Sequence, residues 1–143
     1  MSTSMHRLPS IVLLAAALGL ALSGCAGASD FPAFDREQAA DDELPAGFEV
    51  GHDEFDPASS RSAGSHEGVD YFLIKAAGGV DMGAPCLVMV AEDLSGAIGC
   101  GGDGRASLRS GATEAAMAPA GEPAGDPTGW TRISENVAVR DAR

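Results

Sequence analysis

The chain is poor in basic residues, aromatics and cysteine, and it has no long apolar run. Nine Lys and Arg stand against 21 Asp and Glu, a formal net charge of −12. So acidic a polymer is repelled by phosphate backbones and anionic headgroups, and nucleic-acid binding is the function class excluded first. The longest apolar stretch, Ile11 to Leu22, would make a helix of about 18 Å. That is well short of the ~30 Å hydrocarbon core, so it does not read as a membrane span. One Trp, one Tyr and five Phe beside 19 Gly and 8 Pro predict a small core and many turns. Catalytic signatures are missing as well. No G-x-S-x-G elbow occurs, and "GCGGDG" at 99–104 lacks both the Lys and Ser/Thr of a P-loop and a helix to open. Those glycines read as a tight turn.

What is present starts at the N-terminus. His6 and Arg7 give a short basic start, "IVLLAAALGLAL" follows, and Leu22-Ser23-Gly24-Cys25 closes the run. Residues 1–24 therefore read as a secretory signal rather than as part of the fold. The closing four residues resemble the lipobox of bacterial lipoproteins, in which an aliphatic and two small residues precede a modified cysteine. The resemblance implies cleavage between Gly24 and Cys25, with a diacylglyceryl group on the Cys25 sulfur at the new N-terminus. Each buried methylene contributes about 0.8 kcal/mol, and two acyl chains, such as palmitate, hold a protein stably where one does not. The expected location is the extracytoplasmic face of the cell membrane. Removing 1–24 takes away only one formal charge, Arg7, so the exported chain stays strongly acidic.

With Cys25 assigned to lipid, Cys86 and Cys100 remain, an even pair in an exported chain. One disulfide is the expectation. It closes a loop of about 15 residues, for which chain entropy offers roughly 3 kcal/mol. Without a C-x-x-C pair or close histidines, the two thiols make a poor zinc site.

The chain from Cys25 onward is long enough for one domain. Residues 25–47 read as a flexible acidic tether: acids dominate and apolar periodicity is weak. "DREQAADDEL" has helix formers, but Asp41, Asp42 and Glu43 at its C-terminal end oppose the dipole. Residues 48–143 read as a small, mostly β domain, an antiparallel sheet of hairpins closed by the disulfide. Phe48, Val50 and Phe55 are placed to dock on it, and Asp56-Pro57 to start a turn. Strands are expected from residue 59, turning at Glu67-Gly68 into "VDYFLIKA". In that run Val69, Tyr71 and Leu73 face one way, Phe72 and Ile74 the other, as in a central strand. "CLVMVA" at 86–91 and "AIGC" at 97–100 form a second hairpin with Cys86 opposite Cys100 and Val88 opposite Ile98. A one-residue slip would put the sulfurs on opposite faces. A short strand lies near Ala106–Arg109, "ATEAAMAPAG" reads as strand or helix, and "WTRISENVAVR" reads as two short strands about Glu135-Asn136. Its core candidates are Trp130, Ile133, Val137 and Val139. Cys86-Leu87, Val88, Val90 and Gly99-Cys100, with Glu67-Gly68-Val69 and Tyr71-Phe72, resemble small uncharacterised lipoproteins of high-GC Gram-positive bacteria, which bring no activity with them.

Chemistry is sparse. His52, Asp53, Glu54 and Asp56 are the densest group of potential metal ligands, but they do not follow the EF-hand spacing. They read as a solvated acidic loop, with a hard cation as the alternative. His52 and His66 are the histidines left to act as bases. Tyr71, Phe72 and Trp130 read as core before they read as an aromatic binding face. Met82 and Met117 read as packing or loop filling, since no Met-His repeat supports copper. The expectation is a non-catalytic binding or accessory module of the cell envelope, with an unknown envelope partner and no cofactor. The alternatives are a small hydrolase using His52 or His66, and a purely structural surface lipoprotein.

Overall fold

The computed structural model describes residues 29–79 and 81–142, and Gly24 and Cys25 lie outside them. Among the described residues eight strands form two antiparallel sheets. The first has the order β1-β2-β3-β4, from Phe55–His66, Val69–Ala76, Pro85–Ala91 and Gly96–Cys100. The second has the order β5-β6-β8-β7, from Ala106–Ser110, Thr113–Met117, Val137–Asp141 and Thr131–Arg132. The mostly β expectation holds, with two sheets in place of one. Among the described residues no helix is long and apolar enough to cross a membrane.

Alternation along the strands builds three apolar layers. Tyr71, Leu73, Leu87 and Met89 of the first sheet meet Ala115, Met117, Val137 and Val139 of the second, forming the central core. Phe72, Ile74, Cys86, Val88 and Val90 leave the other face of the first sheet, where Leu44, Phe48, Val50 and Phe55 cover them. Ala116, Ala118, Ala124 and Ala138 line the outer face of the second sheet beneath Trp130. β2 is therefore apolar on both faces because it is packed on both, in the middle of its sheet. "ATEAAMAPAG" resolves as strand β6, since its alanines and Met117 fill the thin space between neighbours rather than one helical stripe.

The hairpins carry the expected registers. His66 pairs Val69 across Glu67 and Gly68, at φ 50° and 78°, the doubly left-handed turn that matches strand twist. Cys86 pairs Cys100 and Val88 pairs Ile98, and the two sulfurs are bonded. At Gly99 the Leu108 side chain comes so close that an added Cβ would make its end turn away, where the edge of one sheet meets the other. Asp56-Pro57 departs from expectation. Its turn chemistry is present, with Ala58 N–H donating to Asp56 Oδ1 at 3.1 Å and Ser59 Oγ–H to the Asp56 carbonyl at 2.6 Å. It makes an irregularity within β1, between Asp56 and Arg61, instead of preceding the strand.

The larger correction concerns the tether. From Ser29 onward the acidic segment is held against the sandwich in two short 3-10 turns, Pro32–Asp35 and Ala40–Asp42. Phe31 enters the central core, and Asp42 is 1% exposed. Arg36 meets Asp42 through both guanidinium nitrogens, and Ser60 Oγ–H donates to the Asp42 carbonyl at 2.7 Å. Acid-rich composition suggested a solvated spacer; one acid instead serves as a buried acceptor that locks the segment down.

Tyr71 is fully buried in the central core, and its hydroxyl has no hydrogen-bond partner among the described residues. Burial, with the Glu67 charge adding to it, pushes its pKa up to about 12. An unpaired buried hydroxyl is a cost. Tyr71→Phe is expected to leave stability unchanged or raise it by up to about 1 kcal/mol in urea unfolding. A loss beyond about 1 kcal/mol would mean that the hydroxyl has a partner.

Candidate functional site

A concavity with apolar walls lies on the N-terminal wrap. It is a groove of about 560 Å³ between residues 43–52 and the β1 irregularity at Pro57 and Ala58. Leu44 and Phe48 give it apolar walls because they are also the cover of the first sheet, anchored by their contacts with its outer face. Glu43, Glu49 and His52 stand exposed on its rim. Gln38 closes one end and is fixed there, its Nε2 donating to Ser60 Oγ at 2.7 Å and to the Pro57 carbonyl at 3.0 Å.

Behind the groove lies a polar network that sets its shape. Asp42 accepts from Ala39 N–H at 2.7 Å and Ser62 N–H at 2.9 Å, besides the Arg36 guanidinium. The Arg36 pairing and these amides hold its carboxyl well below the usual carboxylate range, against the opposing effect of burial. Arg61, itself buried, donates to the Arg36 carbonyl at 2.7 Å and to the Ser60 carbonyl at 2.7 Å. Neither residue carries a sequence signal for this role. Both sit in stretches whose composition reads as exposed.

The acidic group of the sequence does not assemble. His52, Asp53 and Glu54 are exposed along one turn, and His52 faces the groove rim. Among the described residues the His/Cys/Asp/Glu group whose ligand atoms do converge is His66, Glu67 and Asp141, within 4.8 Å of one another. Asp141 was not a candidate, since nothing in the sequence places the end of the chain beside the first hairpin. His52 and His66 thus belong to different parts of the molecule, one at the groove and one at the Glu67-Gly68 hairpin. Tyr71 and Phe72 are buried on opposite faces of β2, while Trp130 packs on the second sheet. They form no common aromatic face. Met117 is core and Met82 is 73% exposed.

A second polar hollow, lined by Arg109, Glu114, Thr128 and Arg140, lies on the outer face of the second sheet. Two of its charges pair with each other. Arg140 donates to Glu114 Oε2 at 2.6 Å and lies over the Trp130 ring at 4.6 Å. The pairing lowers the Glu114 pKa. The chain matches no protein-family model, and neither the curated proteins nor the solved structures contain a significant match to it.

Proposed function

We propose that this is a lipid-anchored binding module of the bacterial cell envelope, held through Cys25 on the extracytoplasmic face and using the groove at 38–58 as its contact surface. The observation that carries the binding reading is that groove. It joins apolar walls to an acidic rim, a combination suited to a partner segment with an exposed apolar side chain flanked by basic groups. Among the described residues the rim histidine stands exposed on a turn beside acids that do not gather round it, and the proposed reading is non-catalytic.

The packed wrap changes the mechanics of anchoring. A flexible tether over 25–47 would let the domain range tens of Å from the lipid. With the described fold starting at Ser29, the chain from Cys25 reaches at most about 14 Å even when fully extended. An acyl group on Cys25 therefore keeps the domain against the headgroup layer, about one to two Debye lengths away at physiological salt. The strongly acidic processed chain opposes flat adsorption, so the module is tied close yet turned outward. Confinement of this kind raises the effective concentration of a partner in the same membrane without any new contact.

Two measurements test the reading separately. Metabolic fatty-acid labelling with detergent phase partitioning should show label on the wild type and none on Cys25→Ala; equal labelling removes the anchor. Photo-crosslinking residues placed at Ala46 and at Arg109, on opposite sides of the molecule, test the groove. Adducts specific to position 46, competed by excess soluble domain, support it, and matching adduct patterns at both positions remove it.

A further inference from the structure

We propose that His66, Glu67 and Asp141 form a binding site for a divalent cation of the zinc class, which clips the two sheets together at one end of the sandwich. Strand register explains why they converge. His66 pairs with Val69, so their side chains share a face, and Val69 packs on the central core. Asp141 follows Val137 and Val139 by alternation, and both are in that core. The half-buried imidazole and the exposed Asp141 carboxylate, carried by one sheet each, therefore meet at the rim of the sandwich. Glu67 joins them from the hairpin turn. Their ligand atoms lie within 4.8 Å of one another.

Two further features point to a cation. Glu67 and Asp141 bring like charges together without a basic partner among the described residues. The ion pairs there engage Arg36, Arg105 and Arg140 with other acids, Asp42, Glu122 and Glu114. Two residues along β2 from Val69, on the same face, stands Tyr71, whose buried hydroxyl has no partner among the described residues and feels the Glu67 charge. An unsatisfied polar group on the face that carries the ligands suits a site that takes up a hydrated ion. One imidazole nitrogen with two carboxylate oxygens is a three-ligand set that leaves coordination positions for water, and the imidazole favours zinc over calcium or magnesium. The ligands come from both sheets, so a bound ion stabilises only the folded arrangement.

The test uses the full processed chain in detergent, stripped with chelator and titrated with ZnCl₂ by calorimetry and by thermal unfolding. Saturable binding of one ion is expected, with Tm rising as Zn²⁺ rises. His66→Ala and Asp141→Asn should each weaken binding about tenfold or more and cancel the Tm rise, while His52→Ala leaves both unchanged. Glu67→Gln, an exposed turn position, supplies a third variant should either of the others unfold. Absence of saturation up to about millimolar Zn²⁺ would overturn the site, as would binding that all three variants retain. Calcium binding as tight as zinc binding, and indifferent to His66→Ala, would overturn the role of the imidazole.

Discussion

Replacing Cys86 and Cys100 together by alanine is expected to lower stability by about 2–4 kcal/mol, and Tm by on the order of 10 °C. The bridge joins β3, the most buried strand of the first sheet, to β4, which is an edge strand. β4 reads Gly-Ala-Ile-Gly-Cys, and none of its residues is fully buried. Little side-chain burial holds it, so its place depends on its ladder to β3 and on the covalent link. The link closes a loop of sequence separation 14, for which chain entropy predicts roughly 3 kcal/mol. Alanine is the replacement of choice at Cys86, which is fully buried, because serine would place a hydroxyl in an apolar layer. Urea and thermal unfolding of the oxidised protein, the thiol-reduced protein and the double variant provide the measurement. Hydrogen exchange should show the β4 amides losing protection first. A reduced protein that melts within about 2 °C of the oxidised one would show that the ladder alone holds the edge.

The same hairpin shows what was legible from residues alone. Its register followed from two constraints that agree, the apolar alternation of 86–91 and the need for two sulfurs on one face. The Glu67-Gly68 turn and the two-sided β2 were legible for a similar reason: local chemistry and period point to one answer. The split into two sheets was not, because the period of a single strand does not say where one sheet ends and the next begins. The wrap was misread for a different reason. Asp42 looks like its neighbour Asp41, yet one is buried and the other exposed. Only the amides of Ala39 and Ser62 and the side chain of Arg36 separate them, and one of those amides lies twenty residues on. Composition averages over such differences. The His66, Glu67 and Asp141 group has no sequence signal for the same reason, since the fold brings Asp141 of the last strand to the first hairpin.

Asp42→Ala should cost about 2–4 kcal/mol, the second large effect, and should open the wrap before the sandwich. The carboxylate is 1% exposed and accepts two backbone amides and a forked guanidinium. Its removal strands the Ser62 and Ala39 N–H groups, whereas Arg36, about half exposed, can turn to water. The amides therefore dominate the loss, and Arg36→Ala should cost less than Asp42→Ala. The pH dependence has a definite sign. A carboxyl held well below its ordinary range in the fold binds a proton more readily when unfolded. Its contribution is thus complete above about pH 5 and declines as pH falls through the normal carboxylate range toward the depressed native value. In Asp42→Asn the stability of the protein should lose up to about one proton of pH dependence below about pH 4, the unfolded carboxyl's range and lower, seen as a shallower slope in acid. An unchanged slope would mean that Asp42 does not report the wrap. Because Gln38, Leu44 and Phe48 line the groove from this same segment, an acid-opened wrap also dismantles the contact surface. Crosslinking through position 46 should therefore fade over the same pH interval in the wild type, while the sandwich core remains folded.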